Sequence, residues 1–238
     1  MNARRYSRQI PLLGEEGQQA LRSSRVGLVG LGGLGCNALT HLATAGVGSF
    51  VLVDHQFPEE SNLNRQFVHC LVGPSVSKAD SAAAWVASLN PDAEVVAVTG
   101  SLEGTDAVEM LRGCDVILDC LDNNESRLRL NSFALEGRIP VVHAAVQEWH
   151  GQVMVVDAGV GPCLGCILPS HECSSPPVIG SVAGVIGSLQ ASEAIKVITG
   201  IGEVLIGRLL SVDISRNSYQ SWDLERKPGC PHCSSLIE

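Results

Sequence analysis

The feature that most constrains the fold is a regular alternation of two kinds of segment. Short runs rich in β-branched residues, such as "RVGLVG" (25–30) and "SFVLVD" (49–54), alternate with segments of helical periodicity, such as "KADSAAAWVASLN" (78–90). Such alternation is typical of a mostly parallel sheet with helices on both faces. We therefore predict an α/β fold with a Rossmann-like, doubly wound sheet. The other predicted strands of this part are "EVVAV" (94–98), "DVILD" (115–119) and "PVVHAAV" (140–146).

The second half of the chain follows a different pattern. A strand-like segment, "QVMVVD" (152–157), precedes a Cys-rich loop and a long helix of small residues that we expect to end near Thr199. The segment "GEVLIGRLLSVDISRNSYQSWDL" (202–224) predicts two antiparallel strands that extend the sheet. No linker or internal repeat interrupts the sequence. We predict one domain over residues 1–238, with residues 151–238 packed against residues 1–150.

Charge and hydropathy narrow the choice of partners. The formal net charge of −9, from 16 basic and 25 acidic residues, leaves no basic stripe for a nucleic acid. The N-terminus has no apolar signal core. The longest uncharged stretch, residues 174–192, contains two prolines and many Gly and Ser residues, which favours a buried helix over a membrane span. We expect a cytoplasmic protein with no nucleic-acid partner and no membrane partner.

A glycine-rich turn follows the first predicted strand. In "VGLVGLGGLGC" (26–36), the residues Gly30, Gly32, Gly33 and Gly35 predict a tight turn and a helix whose first backbone N–H groups favour an anion. Asp54 ends the second strand about twenty residues later, where a carboxylate can accept hydrogen bonds from ribose hydroxyls. The alternative is a tight turn with a helix-capping Asp beyond it. We interpret the pattern as a nucleotide site, with the nucleotide still open.

Two cationic residues come soon after this pattern in the sequence. The loop "SNLNRQF" (61–67) places Asn64, Arg65 and Gln66 beyond Asp54, and Lys78 opens the next predicted helix. Arg offers a planar fork to phosphate oxygens and Lys a mobile point charge, so the pair can neutralise a triphosphate. A nicotinamide cofactor would not need two extra cations there. The alternative is a solvated loop with an ordinary surface lysine.

Asp122 lies in "DCLDNNESRLRL" (119–130), just after the fourth predicted strand. Ligands of such sheets bind at the carboxyl ends of the strands. A carboxylate at this edge can hold a Mg²⁺ ion that bridges phosphates. Equally, Asp or Asn before a helix is the commonest N-cap, and the residues alone leave both possibilities open.

Two C-x-x-C pairs, "CLGC" and "CPHC", are 63 residues apart. Each pair places two thiolates on one side of a tight turn, and together they supply the four soft ligands of a closed, structural zinc site. We predict that zinc clamps the C-terminal segment onto the middle of the chain, with His232 outside the ligand set. The four predicted ligands are Cys163, Cys166, Cys230 and Cys233.

The remaining cysteines divide into two groups. Cys173 lies in the polar loop "SHECSSPP", where an exposed thiol could act as a nucleophile or be a plain surface residue. The other four lie in or beside apolar segments and are predicted to be small core residues. They are Cys36, Cys70, Cys114 and Cys120.

In this order, the motifs resemble those of the ThiF/MoeB/HesA family, the bacterial sulfur-carrier adenylyltransferases related to ubiquitin-activating enzymes. The resemblance runs from "RYSRQI" through "GLGGLGC", "SNLNRQF", "LDCLDN" and "GVIGSLQASEAIK" to "PGCPHC". It implies ATP-dependent adenylation of the C-terminal carboxylate of a small ubiquitin-like carrier that ends in Gly-Gly, with release of pyrophosphate. A separate sulfur donor protein would then form a thiocarboxylate, as a step in biosynthesis of a molybdopterin- or thiamine-type cofactor.

The resemblance also implies roles for individual residues. Gly32 and Asp54 would hold the adenosine half of ATP, and Asp122 would bind the metal. Arg8, in "RYSRQ", matches an arginine that in relatives reaches the phosphates in the neighbouring subunit, which implies a homodimer. The residues expected around the phosphates are Asn64, Arg65, Gln66 and Lys78, and the zinc ligands are the four cysteines named above.

Cys173 matches a conditional thiol of the family, but the match is imperfect. Relatives usually follow this Cys with a short Ala-Gly-Val segment, whereas this chain has "SSPPVIG". A covalent step at Cys173 is therefore an open question, while adenylation does not depend on it. Only five residues follow Cys233, so we expect no C-terminal rhodanese-like domain and a sulfur source on another protein.

Two other functions compete with carrier adenylation. An NAD-dependent oxidoreductase would use the same glycines and Asp54, but it leaves "SNLNRQF", Lys78 and the cysteine pairs unexplained. A non-catalytic ATP- or carrier-binding subunit would keep the fold and lose residues that contact ATP. Arg65, Lys78 and Asp122 are all present, which favours the adenylyltransferase.

Overall fold

The computed structural model describes residues 4–103, 105–168 and 177–234. Eight strands form one sheet in the order β3-β2-β1-β4-β5-β6-β7-β8. The strands are β1 Arg25–Val29, β2 Ser49–Asp54, β3 Glu94–Thr99, β4 Val116–Asp119, β5 Val141–Gln147, β6 His150–Val156, β7 Arg208–Asp213 and β8 Ser218–Asp223. The helices are α1 Ile10–Ser23, α2 Gly33–Ala45, α3 Lys78–Leu89, α4 Thr105–Glu109, α5 Asn124–Gly137, α6 Leu164–Ile167 and α7 Gly180–Thr199.

The sheet confirms the predicted fold class. Strands β1 to β5 pair in parallel, and β6, β7 and β8 continue the sheet in antiparallel pairs. The two strands predicted after residue 202 are β7 and β8, paired antiparallel from Arg208 with Asp223 to Asp213 with Ser218. Helix α7 ends at Thr199, as predicted, and Gly200 caps it in the left-handed conformation. Among the described residues no helix is long and apolar enough to cross a bilayer.

Two hydrophobic cores lie on opposite faces of the sheet because neighbouring residues of each strand point to opposite sides. In β1, the side chain of Leu28 joins the core that contains α2 and α7, and that of Val29 joins the core that contains α5. Both side chains are fully or almost fully buried. Of the four cysteines predicted to be core residues, three are buried.

The prediction was wrong for Cys70, which is exposed. Its apolar neighbours, Phe67 and Leu71, are themselves exposed, because this segment is a short 3₁₀ turn on the surface and not a strand of the core. An apolar neighbourhood in the sequence therefore did not indicate burial at this position.

The order of strands fixes where a ligand can bind. The chain leaves β1 for β2 on one side and later returns to place β4 on the other side of β1. In open α/β sheets, the crevice outside the carboxyl ends of two such strands is the usual ligand site. Gly30 follows β1 and Cys120 follows β4, and a Cβ atom on Gly30 would lie 2.6 Å from the carbonyl oxygen of Cys120.

Candidate functional site

The glycine turn lies at this crevice, and each glycine is suited to its position for a different physical reason. Gly30 has a φ of +91°, a conformation that L side chains rarely adopt. A Cβ atom on Gly35 would lie 2.1 Å from the carbonyl oxygen of Gly30, so the first turn of α2 can close on β1 only without a side chain. Gly32, the N-cap of α2, has open space on its Cβ side, with Gln66 as the nearest group. The N-terminus of α2 therefore presents backbone N–H groups to an accessible crevice.

We expect Gly35→Ala to destabilise the protein, because the new methyl group would meet a backbone oxygen that cannot rotate away. Overpacking of this kind costs about 1 to 3 kcal/mol in the free energy of unfolding. Chemical denaturation measures the change. The matched control is Gly73→Ala, where nothing lies within 4 Å of the new Cβ atom. Equal stability of the two variants would contradict the close approach at Gly35.

Asp54 is buried at the end of β2 and holds the glycine turn in place. One carboxylate oxygen accepts a hydrogen bond of 2.7 Å from the backbone N–H of Leu31, and the other accepts one of 2.8 Å from Gln56. Asp54 does not cap a helix, so the alternative interpretation of this residue is not supported. Each oxygen keeps a second lone pair that can accept a further hydrogen bond.

Lys78 is the first residue of α3, as predicted, and its side chain is almost completely buried. Its Nζ atom donates a hydrogen bond of 2.7 Å to Oε1 of Gln56. Burial lowers the pKa of Lys78, and the nearby carboxylate of Asp54 opposes that shift. A buried ammonium with an electrostatic partner of this kind is not an ordinary surface lysine, and perturbed groups of this kind cluster at functional sites.

The lowered pKa of Lys78 predicts opposite pH dependences for activity and stability. In the folded protein, the pKa of Lys78 lies below the ordinary 10.5. As pH rises through this pKa, Lys78 loses its positive charge, and turnover should fall. Over the same interval the unfolded chain still holds this proton, so the group makes the free energy of unfolding rise with pH. Initial-rate pH profiles and denaturation at matched pH values measure the two effects. Lys78→Arg should move the alkaline fall in activity to higher pH because guanidinium keeps its charge; an unmoved limb would contradict the assignment.

The loop "SNLNRQF" lies directly over the glycine turn. The side-chain carbons of Arg65 are the nearest neighbours of Gly33 after Ala183, and the Nε2 atom of Gln66 is the nearest group to Gly32. Gln66 is buried, and its Oε1 atom has no hydrogen-bond partner among the described residues. A buried acceptor of this kind is costly unless a ligand or water satisfies it. The crevice thus contains one unsatisfied polar group beside the helix N-terminus.

Asn64 and Arg65 are fixed by contacts around this loop. Arg65 donates hydrogen bonds to the carbonyl of Ser61 at 3.0 Å and to Oδ1 of Asn64 at 2.9 Å. The loop also contacts the start of α7, where a Cβ atom on Gly180 would lie 2.4 Å from the carbonyl oxygen of Asn64. The structure therefore brings these two residues, Gln66, Lys78 and Asp54 to one side of the glycine turn.

Asp122 is exposed in the loop between β4 and α5. The N-cap of α5 is Asn123, whose side chain accepts a hydrogen bond of 2.8 Å from the backbone N–H of Ser126. Asp122 is therefore not the helix cap, and its Oδ1 atom accepts a hydrogen bond of 3.3 Å from the Asn123 amide. An exposed carboxylate beside the glycine turn is a chemically suitable ligand for a hard divalent cation.

Arg8 lies away from the crevice of its own chain. It is exposed in the turn before α1, and its neighbour Gln9 donates a hydrogen bond to the carbonyl of Ala45 at the C-terminal end of α2. The glycine turn is at the other end of that helix, which at 13 residues is about 20 Å long. A cavity of ≈ 350 Å³, lined in part by Arg5 and Tyr6, also lies at this distant edge. It contains none of the predicted site residues.

The four predicted zinc ligands are brought together. Their Sγ atoms all lie within 4.8 Å of one another. The Sγ atoms of Cys163 and Cys230 are 3.8 Å apart, and those of Cys166 and Cys233 are 3.6 Å apart. A tetrahedral site with Zn–S bonds of about 2.3 Å has sulfur atoms about 3.8 Å apart, so the thiols fit the ion.

These distances exclude disulfides in this arrangement, since a disulfide needs about 2.05 Å. His232 is not part of the cluster of possible ligand atoms. Its Nδ1 atom is 3.1 Å from Oγ of Ser132, and its ring packs over Gly165.

The pKa values of the clustered thiols differ because their surroundings differ. Burial raises the pKa of Cys163, although the side chains of Cys233 and Asn131 oppose the shift. Burial also acts to raise the pKa of Cys230, but hydrogen bonds, first that from the backbone N–H of His232, outweigh it and lower the pKa to about 7. Cys230 is therefore the thiol that most readily becomes a metal-binding thiolate. Cys173 lies outside the described residues.

A buried polar network that we did not predict supports the loop of Asp122. Asp119, at the end of β4, is completely buried and accepts a hydrogen bond of 2.7 Å from Nδ1 of His143 on β5. Its other oxygen accepts the backbone N–H of Leu121 at 3.1 Å, and Arg127 donates to the carbonyl of Leu121 at 2.6 Å. Both the N–H and the carbonyl of Leu121, the residue before Asp122, are thus held.

Two further residues of the site were missed. Gln190 of α7 donates hydrogen bonds to the carbonyls of Asp119, at 2.9 Å, and Val142, at 2.8 Å. The buried His69 lies 2.9 Å, through Nε2, from the carbonyl of Leu31, and burial lowers its pKa. An ionisable or amide residue inside an apolar segment, such as His143 in "PVVHAAV", was the available signal, because burial requires a partner for it.

Comparison with known proteins gives a family and a fold. The model of the ThiF family matches residues 6–232. The chain is 41% identical over 241 residues to "Adenylyltransferase and sulfurtransferase MOCS3" of Drosophila yakuba, covering 97% of this chain and 53% of that protein. It is 40% identical over 238 residues to "SAMP-activating enzyme E1" of Haloferax volcanii, covering 96% of this chain and 88% of that protein. The chain thus spans about half the length of the MOCS3 relatives it matches.

Solved structures share the fold at low sequence identity. The crystal structure of E. coli MccB with ATP superposes with a TM-score of 0.87 at 20% identity, covering 97% of this chain and 73% of that chain. The structure of PaaA superposes with a TM-score of 0.79 at 19% identity, covering 93% of this chain and 82% of that chain. At these identities the likeness establishes the fold alone.

Proposed function

Since the chain belongs to the ThiF family, we propose that it adenylates the C-terminal carboxylate of a small ubiquitin-like sulfur-carrier protein that ends in Gly-Gly. The names of two relatives, an adenylyltransferase and sulfurtransferase and a SAMP-activating enzyme, support this reaction. The product would serve a sulfur-transfer step in biosynthesis of a molybdopterin- or thiamine-type cofactor. We further propose that residues 1–150 bind the nucleotide and that residues 151–238 carry the zinc clamp and a loop that faces the carrier.

The main support for the proposal is that two cationic side chains and an amide with an unsatisfied oxygen lie beside the glycine turn. Lys78 is buried beside Asp54, Arg65 lies over Gly33, and the Oε1 atom of Gln66 has no partner among the described residues. An oxidoreductase that binds a dinucleotide needs only the turn and the acid. Two cations beside the turn suit a triphosphate, whose charge must be neutralised and positioned for displacement at phosphorus.

In this proposal each residue has one task in the displacement. Asp54 accepts hydrogen bonds from the ribose, and the glycine turn, with Gly30, Gly32 and Gly33, lets the backbone approach the nucleotide. The carrier carboxylate attacks the α-phosphorus, the bond to the β-phosphate oxygen breaks, and pyrophosphate leaves with the electron pair of that bond. The groups that orient and neutralise the phosphates are Asn64, Arg65, Gln66 and Lys78.

Asp122 would hold a Mg²⁺ ion in this site. Its exposed carboxylate is not used to cap α5, and Arg127 and Asp119 fix the backbone that precedes it. When bound, the ion would neutralise charge on the phosphates. The network around Leu121 therefore positions the ligand before the ion arrives.

We also propose a homodimer in which Arg8 of each copy completes the site of the other. Arg8 cannot line its own glycine turn, since it sits near the far end of α2. Exposed apolar side chains close to the two relevant regions would be covered by a partner. They are Leu12 near Arg8, and Phe57, Leu63, Phe67 and Leu71 in the segment between Asp54 and Lys78.

Mixing two inactive variants tests this arrangement. Arg8→Ala and Lys78→Met should each lose activity, but a heterodimer would have one site with an intact lysine and an intact arginine from its partner. We expect co-refolded or co-expressed variants to recover up to about a quarter of the wild-type rate by statistics of subunit mixing. The heterodimer isolated by tandem-affinity purification should reach up to about half of the wild-type rate, because one of its two sites is intact. If a purified heterodimer recovers no activity, the site is not shared between subunits.

The four cysteines would hold one structural Zn²⁺, which ties the C-terminal segment to α6. Such a closed set of four ligands leaves no position for substrate. Reduced thiols of this kind are typical of the cytoplasm, where we propose that the protein acts. A separate protein would donate sulfur, and a covalent step at Cys173 stays a prediction.

Carrier-dependent exchange of labelled pyrophosphate into ATP tests the function directly. The purified protein is incubated with ATP, Mg²⁺ and each small Gly-Gly-tailed protein of its own organism. We expect exchange with at least one carrier and none with the same carrier lacking its last two glycines. The absence of exchange with every intact carrier would refute the proposed adenylation. NADH oxidation with the same preparation would favour the oxidoreductase instead.

A further inference from the structure

Asn131 is a buried amide beside the cysteine cluster, and its two polar atoms differ in how they are satisfied. The residue lies on α5 and is almost completely buried. Its Oδ1 atom accepts a hydrogen bond of 3.0 Å from the backbone N–H of Leu164. Among the described residues, its Nδ2 atom has no hydrogen-bond partner. An unsatisfied donor in this position costs about 1 to 3 kcal/mol unless something accepts from it, so a missing acceptor is expected.

The orientation of the amide is fixed by its neighbour. If the two ends of the amide were exchanged, the NH₂ group would face the N–H of Leu164, and two donors would meet. The Nδ2 atom therefore points away from Leu164. Cys163, the N-cap of α6, directly precedes Leu164, and its thiol is near enough to the Asn131 side chain for that side chain to act to lower its pKa.

A metal-loaded cluster would supply the missing acceptor. Four thiolates carry two more negative charges than one Zn²⁺ ion neutralises, and buried thiolates need N–H donors to stabilise this excess charge. Cys230 already has backbone N–H donors, from His232 and Cys233. For Cys163, the groups that favour the thiolate are the side chains of Cys233 and Asn131. With four thiolates Cys233 has no proton to donate, so of these two groups only the Asn131 amide can donate.

We propose that Asn131 donates its Nδ2–H to the thiolate of Cys163 and thereby strengthens zinc binding. The inference rests on the proposed zinc site and adds a positioning residue to it. The bond would also join two parts of the molecule. The same helix begins just after Asp122 and Asn123, so the amide links the cysteine cluster to the helix that starts at the nucleotide crevice.

Asn131→Asp removes the NH₂ donor and keeps an oxygen that can accept from Leu164, but it also adds a negative charge, so the uncharged Asn131→Ala is needed to separate the lost donor from the added charge. We expect the affinity for Zn²⁺, measured by competition with a chromogenic chelator, to fall about 10- to 100-fold. With Co²⁺ in place of zinc, the sulfur-to-metal charge-transfer band should move to longer wavelength, since a thiolate without the hydrogen bond gives up electron density more readily. A merely structural role of Asn131 would not move this band.

Ser132→Ala is the matched control. Ser132 lies 3.1 Å from His232 in the second cysteine pair but is not among the donors to a thiolate, so its loss should leave zinc affinity and the cobalt band unchanged. Asn131→Ala is the second variant, and it also serves if Asn131→Asp does not fold. Wild-type protein that binds no zinc refutes the zinc site itself. Wild-type protein that binds zinc, with wild-type affinity and spectrum in the Asn131 variants, overturns only the inference about Asn131.

Discussion

Lys78→Met should lower the rate of carrier-dependent pyrophosphate exchange by about 100- to 1000-fold, with little loss of stability. A charged donor that acts on developing negative charge in a water-poor site contributes a factor of this size. Lys78 is suited to that role because it is held in the crevice by Gln56 and is close enough to Asp54 and Arg65 to interact electrostatically with both. Exchange assays at saturating ATP and carrier measure the effect on turnover.

The stability of Lys78→Met shows whether a loss of activity comes from the reaction itself or from unfolding of the protein. Burial disfavours the ammonium in the free protein, as the lowered pKa of Lys78 indicates, so an apolar chain of similar length should be tolerated there. We expect the unfolding temperature to stay within a few degrees of the wild-type value. Lys227→Met, at an exposed position, is the control and should keep full activity. A variant of Lys78 with near wild-type exchange would remove this residue from the proposed mechanism.

His143→Ala should lower the free energy of unfolding by about 3 to 5 kcal/mol, because it leaves the carboxylate of Asp119 buried without its nearest partner. Both side chains of this pair are completely buried, and 2.7 Å separates Nδ1 from Oδ2. Among the described residues, the cationic side chain near this carboxylate is that of Arg127, and its Nε atom is 3.8 Å away. Chemical denaturation at neutral pH measures the loss.

An exposed pair of the same residue types provides the control. On the surface, Nε2 of His150 lies 3.2 Å from Oδ2 of Asp213, and the His150 side chain is 57% exposed. Water screens this pair, so His150→Ala should change the free energy of unfolding by less than about 1 kcal/mol. Equal losses in the two variants would show that burial does not set the strength of the Asp119 pair. A loss of activity in His143→Ala at temperatures where it stays folded would in turn support the positioning of Asp122.

The positions of the strands were predictable because their signal is local. A run such as "SFVLVD" is apolar and β-branched over its whole length, and β2 occupies the same six residues, Ser49–Asp54. Lys78 was correctly placed at a helix start, since Ser77 before it is a typical N-cap and accepts from Asp80. The glycine pattern was informative because the steric requirement at Gly30 is a property of the backbone itself.

Other features depended on contacts between distant segments. The sequence left the role of Asp122 open, and the structure excludes a capping role only because Asn123 takes it. The exposure of Cys70 depends on a surface turn that buries Val68 but leaves Phe67 and Leu71 exposed. The pairing of Asp119 with His143 joins residues 24 apart, so nothing in either local segment identifies the partner.

The sequence by itself determined the fold class, the glycine turn and the four cysteines that could hold a metal ion. Those depend on periodicity, on backbone sterics and on the spacing of thiols within each pair, which are all local properties. Only the tertiary structure decided that Lys78 is buried, that Gln66 and Asn131 each keep one atom without a partner among the described residues, and that Arg8 lies far from its own crevice. Burial and hydrogen-bond partners depend on which distant segments lie side by side. The order of strands in the sheet decides this, and no single stretch of the chain determines that order.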